Sequence, residues 1–287
     1  MGCGVTIVQA ENLAWLRGVA DGSFELVVID PPFNTGREQR RRRLKTVRDE
    51  AGGDRTGFGG KRYRTEVQGE LSFADRFDDY HTFLRRRLVE AVRVLTPTGS
   101  LFVHVDPRES HYVKVMLDEL LGRECFMNEI VWAYDYGARS RRRWSTKHDV
   151  ILWYALDPRQ ATYRYDDIDR IPYMAPALVG EEKARRGKTP TDVWWQTIVS
   201  PTGKERTGYP TQKPLAILER IVRVHSNPGE RVLDFFAGSG TTGLAAARHG
   251  RSAVLVDRSP EALAVMTRRL AQYRPRVVIQ DEPVTRG

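Results

Sequence analysis

Two cysteines, Cys3 and Cys125, are all that the 287 residues contain. They stand far apart and in no metal-ligand spacing, so a disulfide framework and a cysteine-built metal centre are both excluded, and no metal is expected. No apolar run approaches the roughly 18 residues that a membrane-spanning helix needs, and the N-terminus carries no signal-peptide pattern. Internal repeats are missing as well. The expectation is a soluble, cytoplasmic chain in a reducing compartment, without membrane contact. Acidic residues are also in short supply, 37 against 46 Lys and Arg, for a net charge of +9.

That excess is concentrated. From Arg37 to Arg64 there are eleven basic and four acidic residues, a local charge of 11 − 4 = +7. The stretch RSRRRWSTK, Arg139 to Lys147, holds five basic residues and no acid. Clusters of this kind suit a polyanion, because neutralising phosphates releases counterions and so supplies sequence-independent affinity.

With 40% hydrophobic residues the chain can bury one large core or two modest ones, and one domain with an insertion is expected. GVTIVQA reads as a strand, LAWLRGVA as a helical turn and FELVVID as a strand covered on both faces, a β-α-β opening. Arg37 to Gly69, rich in Gly and Arg, is expected to be a long mobile loop. An amphipathic helix follows, with Phe83, Leu84, Leu88, Ala91, Val92 and Leu95 on one stripe. LFVHVD, NEIVWAY and HDVILWYA are further apolar strands, with a helix around 112–121 between the first two. The alternation implies an α/β layer fold with a mostly parallel sheet. Residues 156–207 lose all periodicity and read as an inserted recognition segment, in which the pair Trp194 and Trp195 belongs in a core or a subunit interface.

VLDFFAGSGTTGLAAA is a strand, a glycine turn and an Ala-rich helix. Gly238 and Gly240 permit close approach of a ligand to the backbone, and the helix N-terminus offers free N–H groups. Asp257 closes the next strand nineteen residues after Gly238, where an acid meets ribose hydroxyls. A second acid, Asp234, precedes the glycines; it would repel a pyrophosphate but can receive the ammonium of an amino acid such as the methionine part of S-adenosylmethionine.

Together these residues resemble the β-class DNA amino methyltransferases, in which the catalytic motif precedes the cofactor motif. DPPFNTG (30–36) is similar to catalytic motif IV, TQKP (211–214) to motif X and LDFFAGSGTTG (233–243) to motif I, in the family's order, and the likeness spans most of the chain outside 156–207. It departs from the common pattern at Phe33, where many relatives have Tyr, at Glu11, where many have Asp, and at Phe235 or Phe236, where many have a Pro within motif I.

The resemblance implies a Rossmann-like, seven-stranded, mostly parallel sheet with permuted motif order. Residues 1–155 would form a catalytic half, 156–207 a target-recognition segment and 208–287 a cofactor half. It implies S-adenosylmethionine as cofactor. Asp234, Phe236, Ala237, Gly238, Gly240 and Thr241 would lie at its methionine end and Asp257 at the ribose. Thr211, Gln212 and Lys213 would close over the amino acid carboxylate, and Glu11 and Asn12 would face the adenine. The substrate implied is double-stranded DNA, held by Arg40, Arg41, Arg42 and Arg43 and by Arg139, Arg141, Arg142 and Arg143. A homodimer and a cognate restriction endonuclease are implied partners.

For the chemistry, the Asp30 carboxylate and the Pro31 carbonyl would accept hydrogen bonds from an exocyclic amine, with Phe33 stacked on the ring and Pro31 and Pro32 stiffening the backbone. A duplex hides that amine, so the nucleotide must be flipped out. An Asp opening the motif leans towards adenine N6; cytosine N4, a silent DNA-binding protein and a protein-glutamine methyltransferase are the alternatives.

Overall fold

The computed structural model describes residues 4–280 apart from 35–36, 50–51, 53–54, 57–61, 76, 78, 138 and 201–202. The chain runs through β1 (Val5–Gln9), α1 (Asn12–Arg17), β2 (Phe24–Ile29), β3 (Arg37–Arg48), β4 (Arg55–Thr56), β5 (Arg62–Asp75), α2 (Tyr80–Val94), β6 (Leu95–Val105), α3 (Ser110–Leu121), β7 (Phe126–Ala133), β8 (His148–Ala155), α4 (Glu181–Arg186), β9 (Val193–Trp195), α5 (Leu215–His225), β10 (Arg231–Asp234), α6 (Thr241–Arg248), β11 (Ser252–Asp257), α7 (Pro260–Arg269) and β12 (Arg276–Ile279).

The strands build a sheet in the order β12-β1-β11-β10-β2-β6-β8-β7-β9, with β3, β5 and β4 forming a separate antiparallel unit. In the large sheet only β8 runs against its neighbours. The α/β fold class is therefore as expected, but among the described residues the large sheet has nine strands rather than seven. The two additions are the edges: short β12, parallel to β1, and short β9, which the insertion lends to β7. Neither carries a long apolar run that would mark it in the sequence.

Strict alternation sends successive side chains to opposite faces. Leu26 and Val28 pack with Ile217, Leu218, Ile221, Leu244 and Met266 of α5, α6 and α7. Val27 and Ile29 pack with Leu16, Leu84, Leu88, Val113 and Leu117 of α1, α2 and α3. Two helical layers thus sandwich the sheet, which is why β2 reads as continuously apolar.

The stretch expected as a mobile loop is a correction. β3 and β5 pair antiparallel from Arg37↔Asp75 to Arg48↔Tyr63. A period-2 set, Tyr63, Thr65, Val67, Leu71 and Phe73, lies within β5, the pattern of a strand, and the arginine-rich composition obscured it. Trp194 is buried in the core and Arg220 lies over its ring at 4.7 Å, whereas Trp195, one residue on, faces outward. Among the described residues no helix is long and apolar enough to cross a membrane.

Candidate active site

β10 and β2 are adjacent and parallel, with Leu233 opposite Val27. From β10 the chain crosses towards β11, and from β2 it continues to β6 on the other side. That reversal opens a crevice beyond the carboxyl ends of the two strands, the place where open α/β sheets bind ligands. A cavity of about 630 Å³ lies there, lined among others by Glu11, Asn12, Asp30, Phe33, Lys213, Asp234, Gly238 and Asp257. Motifs IV, X and I, up to two hundred residues apart in the sequence, therefore share one cavity.

Asp30 follows β2 on the face shared by Leu26 and Val28. Its Oδ2 stands 2.9 Å from Lys213 Nζ and its Oδ1 2.9 Å from His104 Nδ1. Burial pushes the carboxyl up, but the Lys213 and His104 charges more than offset it and leave it below the ordinary carboxylate range. Phe33 meets the His104 ring edge-on at 5.3 Å, and Lys213 Nζ lies 4.6 Å from the centre of the Phe33 ring. Lys213 thus places a donor on Asp30 and a cation over Phe33, the two contacts that an amine on a planar ring would make. Pro31 is buried and Pro32 half-buried, and the turn ends at Asn34 with a left-handed φ of 52°.

On the cofactor side, Gly240 caps α6 with φ 72°, and a Cβ there would lie 2.8 Å from Met266 Cγ, so only glycine fits. Gly238, with φ 47°, packs under the Tyr209 ring. Asp234 Oδ2 accepts from Thr242 Oγ1 at 2.7 Å and Oδ1 from the Phe236 N–H at 3.0 Å. Burial nevertheless pushes its carboxyl up to about 7, against the pull of those hydrogen bonds. Asp257 accepts from the N–H groups of Gly238 at 2.8 Å and Ser259 at 2.9 Å, and burial raises it too. Both acids thereby shape the glycine turn while lining the cavity. Ala237 donates its N–H to Val256 O at 3.1 Å, and Thr241 Oγ1 accepts from Arg269 Nη1 at 2.7 Å.

Three predicted residues have more structural work than the sequence suggested. Glu11 caps α1, accepting from the Ala14 N–H at 2.8 Å, and pairs with Arg87 at 2.5 Å. Asn12 accepts from Arg87 Nε at 2.6 Å and donates to Phe235 O at 2.8 Å, tying α1 to motif I. Gln212 is bound to its own loop, accepting from Thr207 N and Oγ1 at 2.8 Å and donating to Glu205 O at 2.9 Å. Thr211 takes a left-handed φ of 57° and lines the cavity beside it.

Sequence reasoning missed His104, Asp149 and Tyr134, which form a row behind Asp30, and Tyr209 and Arg87, which wall the cavity. A signal existed for the first two: a His inside LFVHVD and an Asp beginning the apolar run DVILWYA are ionisable groups placed in buried strands.

Arg139, Arg141, Arg142 and Arg143 are all exposed on the segment joining β7 to β8. Ser140 Oγ accepts from the N–H groups of Arg142 at 3.2 Å and Arg143 at 3.3 Å, and Ser145 Oγ from the Ser140 N–H at 3.0 Å, which shapes the turn. In its middle Trp144 stands 96% exposed. The segment leaves β7 next to Tyr134 and rejoins β8 next to Asp149, so both its ends adjoin the row of polar groups behind Asp30. The side chains of Arg40, Arg41, Arg42 and Arg43 lie outside the described residues; their backbone belongs to β3.

Comparison with known proteins agrees with this geometry. A family model described as DNA methylase matches residues 24–268. The chain is 29% identical over 264 residues to the type II methyltransferase M.HpaI of Haemophilus parainfluenzae, covering 92% of this chain and 73% of that one. It is 27% identical over 278 residues to the DNA adenine methyltransferase YhdJ of Escherichia coli (strain K12), covering 92% and 82%. Among solved structures, the cytosine-N4-specific PvuII DNA methyltransferase superposes with a TM-score of 0.62 at 14% identity, covering 99% of this chain and 97% of that one. The M1.HpyAVI-SAM complex does so with a TM-score of 0.59 at 20% identity, covering 93% and 98%.

Proposed function

The chain belongs to the DNA methylase family, whose members are S-adenosylmethionine-dependent amino methyltransferases, and from that premise we propose that it methylates adenine N6 of a base flipped out of double-stranded DNA. The observation that carries the reading is the single cavity in which Asp30 and Phe33 at the end of β2 face Asp234 and the glycine turn at the end of β10.

The residues fit the cofactor. Asp234 offers a carboxylate to an amino acid ammonium, the left-handed Gly238 and Gly240 leave room for close approach, and Asp257, which lines the same cavity, offers carboxylate oxygens to ribose hydroxyls. S-adenosylmethionine supplies an electrophilic methyl when bound. The chain's own task is to make an amine attack it. The lone pair of an exocyclic amine is delocalised into its ring; acceptors at Asp30 and at the Pro31 carbonyl draw on both N–H bonds and favour a pyramidal nitrogen. Phe33 holds the ring by stacking, worth about 1–3 kcal/mol, which compares with the few kcal/mol that flipping costs. Lys213 must first leave the place of the amine, and a carboxylate beside Thr211 and Gln212 gives its ammonium another seat.

Arg139, Arg141, Arg142, Arg143 and the β3–β5 hairpin are the proposed phosphate contacts. Trp144 supports a nucleic-acid face, since a bare indole among arginines gains most by meeting a base. Residues 156–207 are proposed to read the target sequence. A homodimer and a partner endonuclease complete the proposal, with the reaction in the cytoplasm. The support for a dimer is the open edge at β9, whose Val193 and Trp195 are exposed.

Adenine is favoured by the Asp that opens the catalytic motif and by the likeness to YhdJ. Cytosine N4 demands the same acceptors and is the second reading. The test is incubation of duplex DNA with deuteromethyl S-adenosylmethionine, followed by digestion and mass spectrometry of the nucleosides. Label in N6-methyldeoxyadenosine is expected; label in N4-methyldeoxycytidine selects the second reading, and unlabelled DNA refutes both.

A further inference from the structure

Behind Asp30, a row of polar groups crosses the sheet. β2, β6, β8 and β7 are neighbours in that order. Pairing sets Ile29 beside Val103, His104 opposite Ile151, and Trp132 opposite Asp149. Alternation then sends Asp30, His104, Trp132 and Asp149 to the same face, where apolar neighbours such as Val28, Phe102 and Ile151 precede them. His104 is 6% exposed. Its Nδ1 lies 2.9 Å from Asp30 Oδ1, and its Nε2 lies 3.3 Å from Asp149 Oδ2, a charge contact rather than a well-aligned hydrogen bond. The second oxygen of Asp149 accepts from Tyr134 Oη at 3.2 Å.

An imidazole between two carboxylates has a restricted choice. A neutral ring carries one N–H, so either tautomer turns a nitrogen lone pair against a carboxylate oxygen. Only the imidazolium satisfies both sides, and with Lys213 the four groups sum to zero net charge. We propose that His104 is a permanently cationic positioning residue for methyl transfer, oriented and charged by Asp149, which holds Oδ1 of Asp30 and keeps that carboxylate ionised when the substrate amine takes the place of Lys213. The inference rests on the amino-methyltransferase reading above.

The need arises in the complex. While Lys213 sits on Asp30, two cations hold the carboxylate in its charged form. With Lys213 displaced, burial favours the neutral acid, and a protonated Asp30 has lost the charge that draws on the amine. His104 then supplies the remaining opposite charge. Its own burial and the Lys213 ammonium push the imidazole down, but Asp30 and the contact with Asp149 more than reverse this, and it stays above its ordinary value. The titratable groups around it are Asp30 beyond β2, Asp149 on β8, Lys213 before α5 and, through Asp149, Tyr134 beyond β7.

The test is the pH dependence of single-turnover methyl transfer at saturating cofactor and DNA, in wild type, His104→Asn and Asp149→Asn. Asparagine at 104 keeps a donor for Asp30 but not the charge. An opposite charge at this distance is worth about 1–3 pH units to a carboxylate. The acid limb of His104→Asn should therefore move up by at least roughly one unit, so that its rate falls furthest below wild type, by about tenfold, at the acid end of the profile and recovers as pH rises. Asp149→Asn should shift it in the same direction. A merely structural role would lower the rate equally at every pH, and that result, or an unmoved profile, overturns the proposal. Calorimetric cofactor binding establishes that each variant is folded. Independently of any variant, ¹⁵N-histidine NMR of the wild type should find the His104 ring doubly protonated at pH 8; a neutral ring also overturns it. Methylation of DNA by wild type in the same assay tests the underlying reading separately.

Discussion

Asp234 ties cofactor affinity to pH in a way that can be worked out from its surroundings. Burial raises its carboxyl to about 7 although Thr242 and the Phe236 N–H both donate to it. An ammonium gains most from the carboxylate, so the competent fraction at pH 6 is about 0.09 and at pH 8 about 0.9, and apparent affinity scales with that fraction. At pH 7 the fraction is about 0.5, so the dissociation constant for S-adenosylmethionine should rise about fivefold from pH 7 to pH 6, about 1 kcal/mol. From about pH 7 upward the ligand's own α-amine begins to deprotonate, and it is about half neutral at pH 8, which closes the other side of the optimum. Isothermal calorimetry between pH 6 and 8 measures this directly.

Two variants separate the cause. Asp234→Asn cannot ionise and should bind weakly without an acid limb. Thr242→Val removes a hydrogen bond that favours the charged form, so its limb should move to higher pH. The same group links to stability. Its folded value lies above the ordinary 3.8, so its contribution is present at low pH and is lost as pH rises from about 4 through about 7. Cofactor should consequently raise the melting temperature more at pH 8 than at pH 6. A wild-type affinity that is flat across this range, or an acid limb that survives in Asp234→Asn, would refute the reasoning.

Asp30→Ala should retain cofactor binding by calorimetry yet abolish transfer to DNA, since the methionine-end residues are untouched while the amine loses its charged acceptor; full residual transfer would sink the mechanism. Replacing Arg139, Arg141, Arg142 and Arg143 together with Gln should flatten the plot of log affinity against log salt for DNA by as much as roughly 3 to 4, about 0.9 for each lost phosphate contact. Gel-shift titrations at several salt concentrations measure the slope, and an unchanged slope removes this segment from the DNA interface.

Much of the architecture was legible because burial writes itself into local pattern. The apolar runs of β2, β6 and β8, the stripe on α2 and the glycine turn before α6 each carry a short-range signal and form as elements of the expected type, although Leu95, expected to end the helical stripe, opens β6 instead. Reading composition in place of alternation gave a loop where β3 and β5 pair, and the edge strands β9 and β12 were too short to declare themselves. At the site, Asp30, Phe33, Asp234 and Asp257 were visible as acids and an aromatic at strand ends. Lys213 was visible only as part of a motif, and its contact with Asp30 was not.

The amino-acid sequence by itself determined which residues end each strand, how many basic groups flank them and the order of the motifs, because these are local or additive properties of the chain. Tertiary structure alone decided that β10 and β2 lie side by side, so that two acids some two hundred residues apart share a cavity. It also decided that His104 stands between Asp30 and Asp149. Pairing order across a sheet is set by how the helices cross it, and charges meet only once that order exists.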